Sequence, residues 1–211
     1  MTKSIRIFFL LLIPFFLTSC VDYVQSISYK NGKYQMYYKV TLSKVLFAMA
    51  EQDPEEIFEG FDNEALGDLP KNVTVKNVNT DLEIGAEFSL LIDPRTNDEQ
   101  EKSFLPKISG NKCYIPFLLG SEDSSLADSM SSENSDSQAI AEAIMSSAKC
   151  RVLISKNIIP QIETAYFEGK GGQNYSIALF DYGDLYCLEI PFIILMNKGN
   201  QKLDRIVVIK K

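Results

Sequence analysis

Ser146-Ser147-Ala148-Lys149 sets a lysine three residues after a serine, at the end of a stretch with helical periodicity. That spacing lets an amine activate a hydroxyl. Glu55 and Glu59 fall one helical turn apart and form a carboxylate pair of the kind acid–base chemistry uses. With no perturbing partner in the sequence, they read as a solvated face. Asp181-Tyr182-Gly183-Asp184 brings two acids together, as a cation site would, but Asp and Gly also supply the hydrogen bonds and positive φ of a tight turn, and that is the reading adopted. Gly169 to Gly172 lacks the G-x-x-x-x-G-K-[ST] spacing of a phosphate cradle. The chain has no histidine, which excludes Ser-His-Asp and Cys-His catalysis and every His-containing zinc site.

The Ser-x-x-Lys spacing is shared with penicillin-binding proteins and β-lactamases. In that family it comes first along the chain. Here Ser132-Glu133-Asn134, the nearest match to the second motif, precedes it, and Lys170-Gly171-Gly172, a degraded third, falls in a glycine loop. The chain is therefore read as a non-enzyme, with no catalytic residue, no metal and no cofactor expected. Cys113, Cys150 and Cys187 have no close metal-ligand or redox spacing, so they read as buried structural thiols; at most one disulfide can form among them.

The stretch with chemical meaning is Leu17-Thr18-Ser19-Cys20. Upstream, Lys3 and Arg6 make a short basic region, and Ile7 to Leu17 form an apolar run of eleven residues containing Pro14. A membrane-spanning helix needs about 20 residues, whereas the apolar core of a secretory signal needs about 7–15. These features resemble the lipobox signal of bacterial lipoproteins, and all four positions fit. The resemblance implies diacylglycerol transfer to the Cys20 thiol, cleavage between Ser19 and Cys20, and often a further acyl chain on the new amino terminus. Two or more chains anchor stably, since each buried methylene contributes about 0.8 kcal/mol. Residues 1–19 are thus expected to be removed, leaving residues 20–211 as a single exported domain held to a membrane on the periplasmic or extracellular side.

Loss of Lys3 and Arg6 leaves 19 basic against 28 acidic residues, a formal charge of −9. Nucleic acid is excluded as a partner, because phosphate-backbone binding requires clustered Lys and Arg. The chain is long enough, and apolar enough, to build one real core.

The elements that would carry any site begin immediately after the anchor. Asn31-Gly32 is the strongest short signal for a two-residue type I′ hairpin turn, and it fixes a register. Tyr29 should face Tyr34, Ile27 Met36, Gln25 Tyr38 and Tyr23 Val40 on one apolar, aromatic face. Ser28 should face Gln35, Ser26 Tyr37 and Val24 Lys39 on a mostly polar one. Short helices are expected at 44–50 and 54–61, the second opened by Asp53-Pro54. Strands follow at 73–78 and 82–92, the latter alternating Leu82, Ile84, Ala86, Phe88, Leu90 and Ile92 against Glu83, Gly85, Glu87 and Ser89. Residues 93–112 read as a loop, and Cys113 to Leu119 as a strand. Eight serines and five acids among residues 121–137 point to a mobile loop, and residues 138–149 to a helix. The last third reads as an antiparallel meander with strands at 151–155, 164–168, 175–180, 185–196 and 203–209. The expected fold is α+β: an antiparallel sheet made of the N-terminal hairpin and the C-terminal meander, with short helices at 43–61 and 138–149 packed on one face.

This order of lipidated cysteine, immediate hairpin, short helices and terminal meander is similar to that of LppM-like lipoprotein domains. The similarity implies an α+β domain with a tendency to bind lipid or glycolipid, and it transfers no site residue. The functional expectation is a membrane-anchored, non-enzymatic binding or assembly module of the cell envelope, with an envelope protein as its partner. The alternative is a carrier or sensor of a lipid-like ligand held between sheet and helices and lined by Tyr23, Tyr29, Tyr34 and Tyr38.

Overall fold

The computed structural model describes residues 21–49, 70, 72–118, 148–169, 174–192, 194 and 201–211. The hairpin forms as read. β1 (Val21–Lys30) and β2 (Lys33–Ser43) pair in the expected register from Lys30 opposite Lys33 to Val21 opposite Leu42. Asn31 and Gly32 both have positive φ, 54° and 77°, as a type I′ turn requires. A six-residue helix, α1 (Lys44–Met49), follows. Then come β3 (Thr74–Asn79), β4 (Glu83–Ile92), the five-residue helix α2 (Glu99–Ser103), β5 (Lys107–Ser109) and β6 (Lys112–Pro116). The remaining strands are β7 (Lys149–Ser155), β8 (Ile162–Gly169), β9 (Asn174–Asp181), β10 (Leu185–Pro191) and β11 (Gln201–Lys210).

The eleven strands of the described residues belong to one sheet, in the order β3-β4-β2-β1-β7-β10-β9-β8-β11-β6-β5. This overturns the expected α+β fold. Among the described residues the two helices are too short to cover a sheet, and the apolar face is buried by the sheet turning back upon itself. The turn is made at β9. Its first half pairs with β8, from Asn174 opposite Glu168 to Ile177 opposite Ala165, and its second half with β10, from Ala178 opposite Glu189 to Asp181 opposite Tyr186. A strand that changes partners midway is how a sheet forms a corner. The sheet is also mixed: β1 and β7 run parallel, with Tyr23 beside Cys150 and Gln25 beside Val152.

Three further expectations are corrected. Lys149 opens β7 and does not close a helix. The 93–112 loop contains α2 and β5. Asp98 caps α2 by accepting from the backbone N–H groups of Gln100 and Glu101, with Glu101 at the third helical position. The C-terminal strands do not form a simple meander, because β11 lies between β8 and β6 and β10 lies against β7. The expected helix at 54–61, the expected loop at 121–137 and residues 138–147 of the other expected helix lie outside the described residues.

The core fills the space inside the fold. From β1 and β2 it takes Tyr23, Ile27, Met36 and Tyr38; from β7 and β10, Val152, Ile154, Leu188 and Ile190; from the opposing half, Ile115, Phe167, Ile206 and Val208. Tyr23 meets Phe117 edge-on at 5.6 Å between ring centroids, Phe117 meets Phe167 at 5.7 Å, and Tyr38 meets Phe104 at 6.4 Å. These rings tie the hairpin to the far half of the sheet. Edge-to-face pairs contribute about 0.5–1.5 kcal/mol each beyond the area they bury.

Candidate functional site

The alternation that buries Tyr23, Gln25 and Ile27 turns Asp22, Val24, Ser26 and Ser28 to the outer face. Cross-strand pairing then lines these residues up with outward residues of β2, β4 and β3. One row reads Val24, Lys39, Glu87, Lys76. The next reads Ser26, Tyr37, Ser89, Thr74, and the one beyond continues from Ser28 to Gln35 to Leu91. The face is divided in character. The half nearer the start of β1 is charged, and the half nearer the hairpin turn is uncharged.

In the charged half a chain of ion pairs crosses five strands. Lys149 Nζ lies 2.8 Å from Glu189; Arg151 lies 3.8 Å from Glu189 and 3.6 Å from Asp22; Lys39 Nζ lies 3.5 Å from Asp22 and 3.0 Å from Glu83. Lys76 reaches Glu87 at 3.6 Å. Isolated exposed pairs contribute little, but here the Asp22, Glu189 and Lys39 side chains are only about one-fifth exposed. Partial burial opposes the charge on Lys39, yet its hydrogen bonds and attraction to Glu83 and Asp22 outweigh that and hold its ammonium above the usual range. Each carboxylate in this chain has a cation against it, so the network reads as a scaffold.

In the uncharged half, an open groove of about 490 Å³ is lined by Ser26, Ser28, Gln35, Tyr37, Asn72, Thr74 and Ser89 together with the apolar Met36, Leu90 and Leu91. Asn72 Nδ2 donates to the Leu91 carbonyl at 3.1 Å and closes one side. Tyr37 is held partly by burial and partly by its hydroxyl bond to Glu87 in the neighbouring row, both of which raise its pKa.

Of the residues that the sequence offered for chemistry, only some are described. Lys149 sits at the edge of β7 with its ammonium on Glu189, while Ser146, Ser132 and Lys170 lie outside the described residues, as do Glu55, Glu59 and Cys20. Asp181 to Asp184 form the β9–β10 turn as read. Gly183 has φ 78°, its N–H donates to Asp181 Oδ1 at 3.0 Å, and Lys156 lies 2.7 Å from the same oxygen, which together hold the Asp181 carboxyl below its usual range. Cys113, Cys150 and Cys187 are free thiols, each buried. Among the described residues no group of three His, Cys, Asp or Glu could hold a metal ion, and no helix is long and apolar enough to cross a membrane.

The four hairpin tyrosines separate into two pairs. Tyr23 and Tyr38 are fully buried in the core. Tyr29 and Tyr34 pack on each other at 4.9 Å near the turn, where Asn157 accepts from the Tyr29 N–H at 3.1 Å and donates to its carbonyl at 2.6 Å. No protein family, curated protein or solved structure matches the chain.

Proposed function

We propose that the chain is a membrane-anchored lipoprotein that acts as a non-enzymatic binding or assembly module of the cell envelope. The observation that carries this reading is the continuity of anchor and scaffold. β1 begins at Val21, the residue after the lipobox cysteine, and is an interior strand flanked by β2 and β7. An acyl group on Cys20 would therefore attach to the sheet itself, with no tether between them. Ten residues at about 3.3 Å each carry β1 some 33 Å from that point, so the hairpin turn and the uncharged half of the outer face would stand clear of the head groups. The charged half, with Lys149, Arg151 and Lys39, would lie nearer to them.

Mass spectrometry of the membrane fraction tests the anchor. The expected species begins at Cys20 and carries at least two acyl chains, and Cys20→Ala releases the chain from membranes. A mature protein with unmodified Cys20, or one retaining Met1 to Ser19, overturns the proposal.

A further inference from the structure

The uncharged half of the outer face combines features that a solvated face does not need. In the row Ser26, Tyr37, Ser89 and Thr74, every member carries a hydroxyl, one from each of four adjacent strands. Neighbouring strands lie about 4.8 Å apart, so the row runs about 14 Å across the sheet. Among the described residues, the hydroxyls of Ser26, Thr74 and Ser89 have no side-chain partner, and Ser28 meets Gln35 at only 3.5 Å, the limit of a hydrogen bond. Each free hydroxyl can donate once and accept twice. Gln35 and Asn72 add planar amides that donate and accept together, and Tyr37 adds an aromatic surface. No charged side chain lines the groove, although Lys39, Glu87 and Lys76 fill the row on one side of it.

We propose that this groove, floored by the Ser26–Tyr37–Ser89–Thr74 row and flanked by Gln35 and Asn72, binds a neutral oligosaccharide. Charge complementarity selects against an anionic or cationic ligand, because nothing in the groove neutralises one and the neighbouring charges are already paired. Polarity selects against an acyl chain, because, Leu91 apart, the outward side chains of the groove are hydroxyls, amides and the Tyr37 phenol, whose hydrogen-bonding capacity an acyl chain would bury unpaired. A chain of sugar rings presents alternating hydroxyl donors and acceptors along its edge and C–H groups on its face. The row and the Tyr37 ring match those two surfaces. The inference deepens the binding-module reading and rests on it only for the supposition that an envelope glycan lies within reach.

The test is backbone amide NMR on the full chain in detergent, titrated with chitotetraose, with cellotetraose and with a neutral glycine- and serine-rich peptide. Saturable shifts are expected at Ser26, Tyr37, Ser89 and Thr74 with one or both sugars. Preference for chitotetraose points to an N-acetylated wall glycan, and equal response to a plain neutral glycan. Tyr37→Ala should weaken binding about five- to tenfold through loss of the ring contact, while Tyr182→Ser, at an exposed turn outside the groove, should leave it unchanged. Should Tyr37→Ala disturb the fold, Ser89→Val keeps the sheet and removes a central hydroxyl, and it should also weaken binding. Absence of shifts with both sugars overturns the proposal. So does response to the peptide alone, or sugar binding that maps elsewhere and survives both groove variants. None of these outcomes touches the acylation of Cys20, which is read separately by mass.

Discussion

Gln25 reaches through the core from β1 to β6, its Nε2 donating to the Pro116 carbonyl at 2.7 Å across 91 residues of sequence, while its Oε1 accepts from the Tyr23 hydroxyl at 3.0 Å. Its side chain is fully buried among apolar neighbours, so both polar ends must be satisfied inside the protein. The amide therefore acts as a clip between the two halves of the folded sheet and also satisfies the hydroxyl of a buried tyrosine. Gln25→Leu keeps the volume but strands the Pro116 carbonyl and takes away the acceptor of the Tyr23 hydroxyl proton, although the Leu118 backbone still bonds that hydroxyl oxygen; the expected loss is about 1–3 kcal/mol, most of it at the carbonyl. Urea unfolding should show the loss, and Gln25→Leu combined with Tyr23→Phe should recover part of it. A single variant as stable as the parent would mean that the amide contributes nothing.

Thr41 and Gly85 face each other across β2 and β4 in the opposite sense. The Thr41 hydroxyl is buried with no hydrogen-bond partner among the described residues, and its methyl leans over Gly85, where an added Cβ would collide with the Val40 carbonyl and the Thr41 backbone. Replacing an unpaired buried hydroxyl with a methyl of the same shape removes a desolvation cost. Thr41→Val should therefore raise stability by about 1 kcal/mol. Gly85→Ala has no such outlet, since backbone atoms block the new carbon, and should cost about 1–3 kcal/mol as overpacking. Thermal unfolding of the two variants should move the melting temperature in opposite directions. A Thr41→Val variant that is clearly less stable would show that the hydroxyl has a partner after all.

The hairpin was legible because its information is local: Asn31-Gly32 fixes the turn, the turn fixes the register, and period two assigns the faces. That register put Gln25 on the apolar, aromatic face, but its role as a clip was not legible, since nothing near Gln25 or Pro116 points to the other. The same limit hid the parallel pairing of Lys149–Ser155 with β1 and the corner at Ile177–Ala178, both products of contacts distant in sequence. The helix at Glu99–Ser103 was missed for another reason. Asp98 with Glu101 three residues on is a capping signal, but two flanking prolines and a polar composition made the stretch read as a loop. The groove row could be assembled only in part, as Ser26 opposite Tyr37 on the hairpin, because its other half depends on how β4 and β3 dock.

Alkaline titration should expose the buried hydroxyls and thiols together. Burial pushes the Cys113 thiol from its ordinary 9.0 up to about 11, and burial likewise drives Cys150, Tyr23 and Tyr38 well upward. A folded-state pKa above the unfolded one means that the native protein keeps its proton while the unfolded chain gives it up. The contribution of Cys113 is thus complete below about pH 9 and is lost as pH rises from there towards about 11. The tyrosines add to the loss once their unfolded value, 10.0, is passed. Denaturant midpoints measured at intervals above neutrality should hold steady to about pH 9 and then fall progressively. Cys113→Ala should be less stable at pH 7 because it leaves a cavity, yet its midpoint should decline less steeply between pH 9 and 11 than that of the parent. In the same experiment the thiols should resist iodoacetamide while the protein is native and react once it unfolds, since alkylation needs an exposed thiolate. Rapid labelling of Cys113 or Cys150 at neutral pH in the native protein would show that the folded sheet opens far more readily than its packing implies.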